Sequence, residues 1–450
     1  MDDKSGQYRC TRRHALAVLG AAGVAGCAST DGGPATTAPI GERYDLGLSH
    51  ELAEWGGLDR DWTAPSTAPA VETFETEVLV ENLKIPWDLS FTGDGTLFIS
   101  ERVGRVKAFD GEETQVVAEP KDAIDAGSIE PGEDSDSWWV DGGEGGTLGV
   151  AAHPNYPDPP VVYVYYTAAT DDGKRNRVVA FDPNTDDPSD AASVIVDDIP
   201  ADDIHNGGRL EFGPRNYLWI TCGDAGEPTK AQDTSTLHGK VLRVRPDGEP
   251  APDNSDLGAD ADPRIYTYGH RNPQGIVWLP DDTPVASEHG PNGRDELNRL
   301  ESGANYGWPD VRNREDYPGS DVHKPLANSG PRPSWAPTGS LFYTGESVPS
   351  LTNRMLIGGL NSQQLLVATL TPPDDDLPPH EDALRHVGEW TDDAYTVTTQ
   401  TALKDELGRI RHVEQGPDGD IYLVTSNRDG RASDPFPTER DDVLVRLTGE

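Results

Sequence analysis

From about residue 78 the chain repeats one unit: a short apolar strand, a turn rich in Asp, Asn, Pro or Gly, and a second apolar strand. Trp87 to Phe91, the turn Thr92-Gly93-Asp94-Gly95 and Leu97 to Ser100 form its clearest copy, with Gly104 to Phe109 as a third strand. Asp-Gly between two strands of this length is a hairpin signal. The unit returns at Leu148–Tyr166, Gly208–Arg245, Gly275–Ser287, Ser340–Leu370 and Ile410–Leu447. Six copies at uneven spacings of roughly 40–70 residues are the pattern of radial repeats with loop insertions. They predict an all-β chain, a six-bladed β-propeller with four-stranded antiparallel blades over residues 78–450. Such a ring places its ligand on the axis, at a face built by inserted loops. Two packed β-sandwiches fit the strand content but not the recurring unit.

Composition sharpens this picture. In 450 residues, 48 Gly and 38 Pro exclude long helices, and 34% hydrophobic content predicts an economical core. A net charge of −42 excludes ordinary nucleic-acid binding, because phosphates would be repelled. The acids are dispersed, Arg far outnumbers Lys, and regular apolar runs with 10 Trp and 14 Tyr argue against disorder. Concentrated salt screens charges beyond roughly 3 Å at 1 M. The composition therefore points to a halophilic source.

Residues 1–27 read as a targeting segment. Arg12-Arg13, Leu16 and the modest apolar stretch Ala15 to Val24 resemble a twin-arginine export signal. Val24-Ala25-Gly26-Cys27 resembles a lipobox of the haloarchaeal lipoprotein type, predicting a lipid anchor at Cys27 on the extracellular face of the membrane. Residues 28–77, rich in Thr, Ala, Pro and Gly, predict a flexible tether and lead-in. Cys222 then remains as the single cysteine of the mature domain, so no intramolecular disulfide is expected.

Four polar, Gly-rich strings carry the candidate chemistry: Ile204 to Arg209, Gly223 to Gly226, Tyr268 to Gly275, and Ser287 to Pro291 with Asp295 to Asn298 and Gly303 to Pro309 behind it. His205 is the candidate base, because imidazole titrates near neutrality. Asp224, at the far end of the same hairpin, would orient it; alternatively His205 only closes a turn. Arg271 beside Asn272 suits an anion or a polarised carbonyl oxygen. Glu288, Asp295 and Glu296 with the Gly290 and Pro291 carbonyls are oxygen donors for a hard cation such as Ca²⁺, or plain acidic surface. Zinc spacing, EF-hand, phosphate-cradling and serine-hydrolase motifs are missing from the sequence.

With Ile85-Pro86-Trp87, Ser100-Glu101-Arg102, Gly143 to Gly146 and the strings HNGGRL, GHRNPQG, EHGP, DELN, NYGWP and GRIRHV in order, residues 78–447 resemble the soluble glucose/sorbosone dehydrogenases. The resemblance implies pyrroloquinoline quinone (PQQ) on the axis, Ca²⁺, and an aldose oxidised to its lactone with electrons passed to an external acceptor. It implies His205 as base, Asp224 as its support and Arg271 as the arginine polarising the quinone carbonyl. Asn272, Arg409, Arg411 and Trp335 match cofactor contacts. The Gly290 and Pro291 carbonyls match cofactor Ca²⁺ ligands, and Glu296 with the Tyr306 carbonyl a second Ca²⁺ site. Two positions depart from the pattern: Asn361 stands where glucose-oxidising members carry a lysine, and Glu144 replaces an amide. Both predict weaker PQQ binding, and they motivate an alternative, a cofactor-free extracellular sugar-binding or interaction propeller. Relatives are commonly dimers, and nothing in this sequence shows one.

Overall fold

The computed structural model describes residues 38–71, 74–127, 140 and 142–449. The expected signal segment and Cys27 lie outside them. Six antiparallel sheets follow one another along the chain. Blade 1 comprises Pro86–Phe91, Leu97–Glu101, Arg105–Phe109 and Thr114–Ala118; blade 2 comprises Thr147–Ala152, Val162–Thr170, Gly173–Phe181 and Ser193–Pro200. Blade 3 runs Leu210–Phe212, Leu218–Cys222, Lys240–Val244 and Ile265–Tyr268, and blade 4 runs Pro273–Trp278, Pro284–Glu288, Glu296–Arg299 and Ala327–Asn328. Blade 5 adds a fifth strand, Leu384–His386, outside Pro337–Tyr343, Arg354–Gly359, Gln364–Thr371 and Thr396–Ala402.

Blade 6 closes the ring. Ile410–Gln415, Ile421–Thr425 and Leu444–Gly449 pair with Phe74–Val80 from the start of the domain, which supplies the outermost strand. At every junction the first strand of one blade touches a strand of its neighbour, including blade 6 with blade 1. Most sheet edges are thus paired or covered. The propeller expected from the repeats is the fold observed.

Apolar residues alternate along the strands and pack between neighbouring sheets. Leu148, Tyr163, Tyr165, Leu218, Ile220 and Leu242 join blades 2 and 3, while Leu356, Val367, Val413, Leu423 and Val445 join blades 5 and 6. The expectation of a flexible lead-in is corrected over residues 38–71, which pack against the blades. Ile40 enters the blade 2–3 core and Trp62 the blade 4–5 core. Ser193 Oγ accepts from the Ile40 amide at 2.7 Å, and Arg354 donates to the Thr67 carbonyl at 2.5 Å.

One irregularity positions the site. Ladder register breaks in the innermost strand of five blades, between Pro86 and Asp88, Thr147 and Val150, Pro273 and Gly275, Pro337 and Ser340, and Ile410 and His412. A bulge leaves one residue unpaired and re-aims its side chain. Three of the bulged residues, Trp87, Gln274 and Arg411, line one axial cavity.

Candidate active site

That cavity is lined by Trp87, Arg102, Glu144, Gln274, His289, Leu360, Arg411, Asp429 and Arg431, among others. Its charge is built from buried arginines. Arg102 lies beneath the Gly142–Gly146 turn, donating from Nε to the Gly145 carbonyl at 2.9 Å and from Nη2 to the Gly143 carbonyl. Arg409 grips one carboxylate oxygen of Asp429 through Nε at 3.1 Å and Nη2 at 2.7 Å. Arg411 donates to Gln274 Oε1 at 3.1 Å and lies over the Trp87 ring. Burial lowers Arg102 to about 10 and Arg411 to about 9, so both keep their charge at neutral pH. Arg102, Arg409, Arg411 and Arg431 outnumber the carboxylates Glu144 and Asp429, leaving the cavity positive in a chain of strongly negative net charge.

Beside this cavity stands the expected base. His205 precedes the innermost strand of blade 3 and has a positive φ of 57°, a conformation that costs a non-glycine residue energy and clusters at functional sites. The backbone is held there from several sides. Its amide donates to Glu144 Oε2 at 2.8 Å, and its carbonyl accepts from the Ala225 amide at 3.2 Å. A Cβ at Gly223 would sit 1.8 Å from that carbonyl oxygen, so only glycine fits there.

His205 Nδ1 lies 2.6 Å from Asp224 Oδ1. Asp224 is buried, with Oδ2 accepting from Trp308 Nε1 at 2.8 Å and its amide donating to the Arg271 carbonyl at 2.8 Å. A carboxylate only accepts, so Nδ1 carries the proton and Nε2 presents a lone pair. The Arg271 guanidinium donates to the His289 carbonyl at 3.1 Å and lies over Trp308. Structure therefore joins His205, Asp224 and Arg271 in one network.

The other expected residues divide. Arg411 and Glu144 line the axial cavity, and Arg409 braces it through Asp429. Asn272 is a brace too, its Oδ1 accepting from the Gly207 amide at 3.0 Å. Asn361 is exposed on the turn after Arg354–Gly359; its neighbour Leu360 is the residue that lines the cavity. Trp335 lines neither cavity, because its ring is buried in the blade 4–5 core, edge-on to His386.

Gly290, Pro291, Glu296 and Tyr306 share a second cavity with Arg271, Glu288, Trp308 and Tyr317. Glu296 is half-buried near Glu288, and desolvation with that neighbouring charge raises it to about 8. Tyr317 Oη and Asn328 Nδ2 both donate to its Oε1, at 2.5 and 2.9 Å. This acidic half, with the Tyr306 backbone, fits a hard cation. The carbonyl half does not. Arg294 Nη1 donates to the Pro291 carbonyl at 3.1 Å, putting a positive charge where a cation would need that oxygen.

Sequence reasoning gave no role to His289, Gln274, Asp429 or Arg431. Burial lowers His289 to about 3, so it is neutral, and its Nε2 is buried without a partner. Asp429 and Arg431 lie in Asn427-Arg428-Asp429-Gly430-Arg431, a polar string directly after an apolar strand. Gly223-Asp224-Ala225-Gly226 has that same placement, which was the available signal.

The glucose/sorbosone dehydrogenase family model matches residues 83–434. The aldose sugar dehydrogenase of Escherichia coli is 28% identical over 387 residues, covering 82% of this chain and 93% of its own. Quinoprotein glucose dehydrogenase B of Acinetobacter calcoaceticus is 30% identical over 276 residues, 54% of either chain. The PQQ-bound aldose sugar dehydrogenase of Streptomyces coelicolor superposes with a TM-score of 0.64 at 31% identity, covering 85% of this chain and 100% of its own. The chain belongs to the glucose/sorbosone dehydrogenase family.

Proposed function

We propose that this protein is an aldose dehydrogenase that oxidises the anomeric hydroxyl of a sugar to the lactone, with PQQ as its cofactor and an external electron acceptor. The observation that carries this reading is the His205–Asp224 pair, with Nε2 left as a base beside a positively charged cavity.

The residues fit the cofactor. PQQ is a flat, multiply anionic quinone. Arg411 Nε and His289 Nε2 are buried in the cavity lining without hydrogen-bond partners, and Trp87 offers a flat wall. Arg102 and Arg411 would hold its carboxylates, while Arg431 is paired with Glu144, and planar guanidinium groups suit carboxylate recognition. Bound there, PQQ supplies a two-electron acceptor.

The chain does the rest. His205 Nε2 takes the hydroxyl proton, and Asp224 stabilises the imidazolium that results. Trp308 holds Asp224, and through the Arg271 carbonyl the Asp224 amide is fixed as well. The Arg271 guanidinium, which lines the neighbouring cavity and donates to the carbonyl of His289, would supply positive charge towards the oxygen on which negative charge develops. Glu296 with Tyr306 is the proposed Ca²⁺ position, and no step depends on it. Lipid anchoring at Cys27 would put the site outside the membrane, within reach of an acceptor.

The two departures that favoured a cofactor-free propeller lose their weight. Asn361 is not in the cavity lining, and the Glu144 charge is paired to Arg431 at 3.1 Å.

The test is to load the protein with PQQ and Ca²⁺ in concentrated salt and supply a panel of aldoses with an electron-accepting dye. One lactone per two electrons transferred is expected. Sugar binding without any dye reduction would instead support the cofactor-free reading.

A further inference from the structure

Glu144 joins three distant parts of the ring. It sits on the turn entering blade 2, its Oε2 accepts from the His205 amide of blade 3 at 2.8 Å, and its Oε1 accepts from Arg431 Nη1 of blade 6 at 3.1 Å. Its own amide donates to the Asp203 carbonyl at 2.8 Å. The Glu144 turn is clamped on either side by Arg102, through the Gly143 and Gly145 carbonyls. Arg431 is fixed by its amide, which donates to Asp429 Oδ1 at 3.0 Å.

Two physical consequences follow. The His205 backbone is held in left-handed geometry, and a carboxylate accepting its amide stabilises that geometry by a charge-assisted bond. Burial alone would raise the Glu144 carboxyl. Arg431 and the His205 contacts outweigh burial and bring it down to about 2, so the group is ionised whenever the protein is folded and near neutrality. The ion pair with Arg431 then adds no net charge to a cavity meant for an anion.

We infer that Glu144 is a positioning residue for the base: it fixes the peptide beneath His205, while Arg431 neutralises it towards the cofactor cavity. Asp224 orients the imidazole from its Nδ1 side, and Glu144 fixes the backbone from the other. The inference rests on the dehydrogenase reading for its kinetic consequences but not for its structural ones.

The experiment compares Glu144→Ala, Glu144→Gln and Arg431→Gln in the full chain. In the cofactor-free protein, nitrogen-15 and proton NMR of His205 reads the Nδ1–H shared with Asp224. Glu144→Ala is expected to broaden or shift that resonance upfield, and Glu144→Gln, which can still accept from the amide, to restore it. With PQQ and an aldose, Glu144→Ala should lower kcat by about 10–100-fold at little change in KM, the scale of a base displaced by about 1 Å. Glu144→Gln should recover most of that loss. Titration with PQQ, followed by absorbance, should show Arg431→Gln binding it at least ~10-fold more weakly, because an unpaired carboxylate then faces the cavity.

An unchanged Nδ1–H resonance and kcat in Glu144→Ala would overturn the inference. So would equal loss of thermal stability in the Ala and Gln variants with no recovery by Gln, which is the behaviour of a merely structural pair. If no aldose is turned over by the parent protein, the dehydrogenase reading fails, and the NMR comparison still decides the role of Glu144.

Discussion

The Asp224 carboxylate is shared between two rings: its Oδ1 lies 2.6 Å from His205 Nδ1, and its Oδ2 accepts from Trp308 Nε1 at 2.8 Å. An acid held at both oxygens cannot rotate away from the imidazole, so it fixes the tautomer as well as the ring. Asp224→Asn would present an amide donor to Nδ1 and favour the wrong tautomer. A fall in kcat of roughly 10²–10⁴-fold is expected, with PQQ affinity changed far less. Trp308→Phe removes one anchor and should cost about tenfold. Steady-state kinetics beside a PQQ titration checks both.

Arg411 gives a cofactor-side prediction. Its guanidinium stays charged, lies over Trp87 and keeps Nε unpartnered in the cavity lining. Arg411→Lys preserves charge but loses the planar fork, so it should weaken PQQ binding by about tenfold or more. An unchanged affinity would place the carboxylates elsewhere.

Below the cavity, Arg209 and Asp88 form an ion pair with both side chains wholly buried. Breaking such a pair from one side strands a charge, at a cost of about 3–5 kcal/mol. Arg209→Met should therefore lower the denaturant midpoint sharply, whereas removing the exposed Lys121–Asp190 pair should shift it little. Denaturation followed by Trp fluorescence, at fixed salt, separates the two.

The same axial cluster sets a pH dependence. Burial raises Glu211 to about 7, and burial with the neighbouring Glu211 charge raises Glu414. Arg209, Asp88 and His412 face them, and burial keeps His412 neutral. Between the ordinary carboxyl value of 4.5 and about 7, the folded chain holds a proton that the unfolded chain has released. Stability then falls as pH rises through that window. Glu211→Gln should flatten the fall in thermal midpoint from pH 5 to 7.5.

Much of this was legible in the sequence, for local reasons. Strand alternation and Asp-Gly turns such as Asp94-Gly95 repeat within a few residues of each other, so the blades and the strings bearing His205, Asp224 and Arg271 could be read directly. Long-range partners could not. Phe74–Val80 is largely polar on its outer side and pairs with Leu444–Gly449 at the opposite end of the chain. Glu144 looks like a misplaced charge until Arg431, 287 residues away, is seen beside it. Residues 38–71 have the composition of a tether, yet Ile40, Leu46, Leu52 and Trp62 are buried, the first two in the blade 2–3 core and Trp62 in the blade 4–5 core. Trp335 shows the converse: an aromatic in a suggestive string whose ring belongs to the core.

The most direct test of the account measures PQQ occupancy and aldose-dependent dye reduction in the same samples, for the parent protein and for His205→Gln. The prediction is saturable turnover in the parent and a loss of at least ~100-fold in the variant, with PQQ still bound in both. Full PQQ occupancy without turnover of any aldose in the parent, or equal turnover in the two proteins, would contradict it.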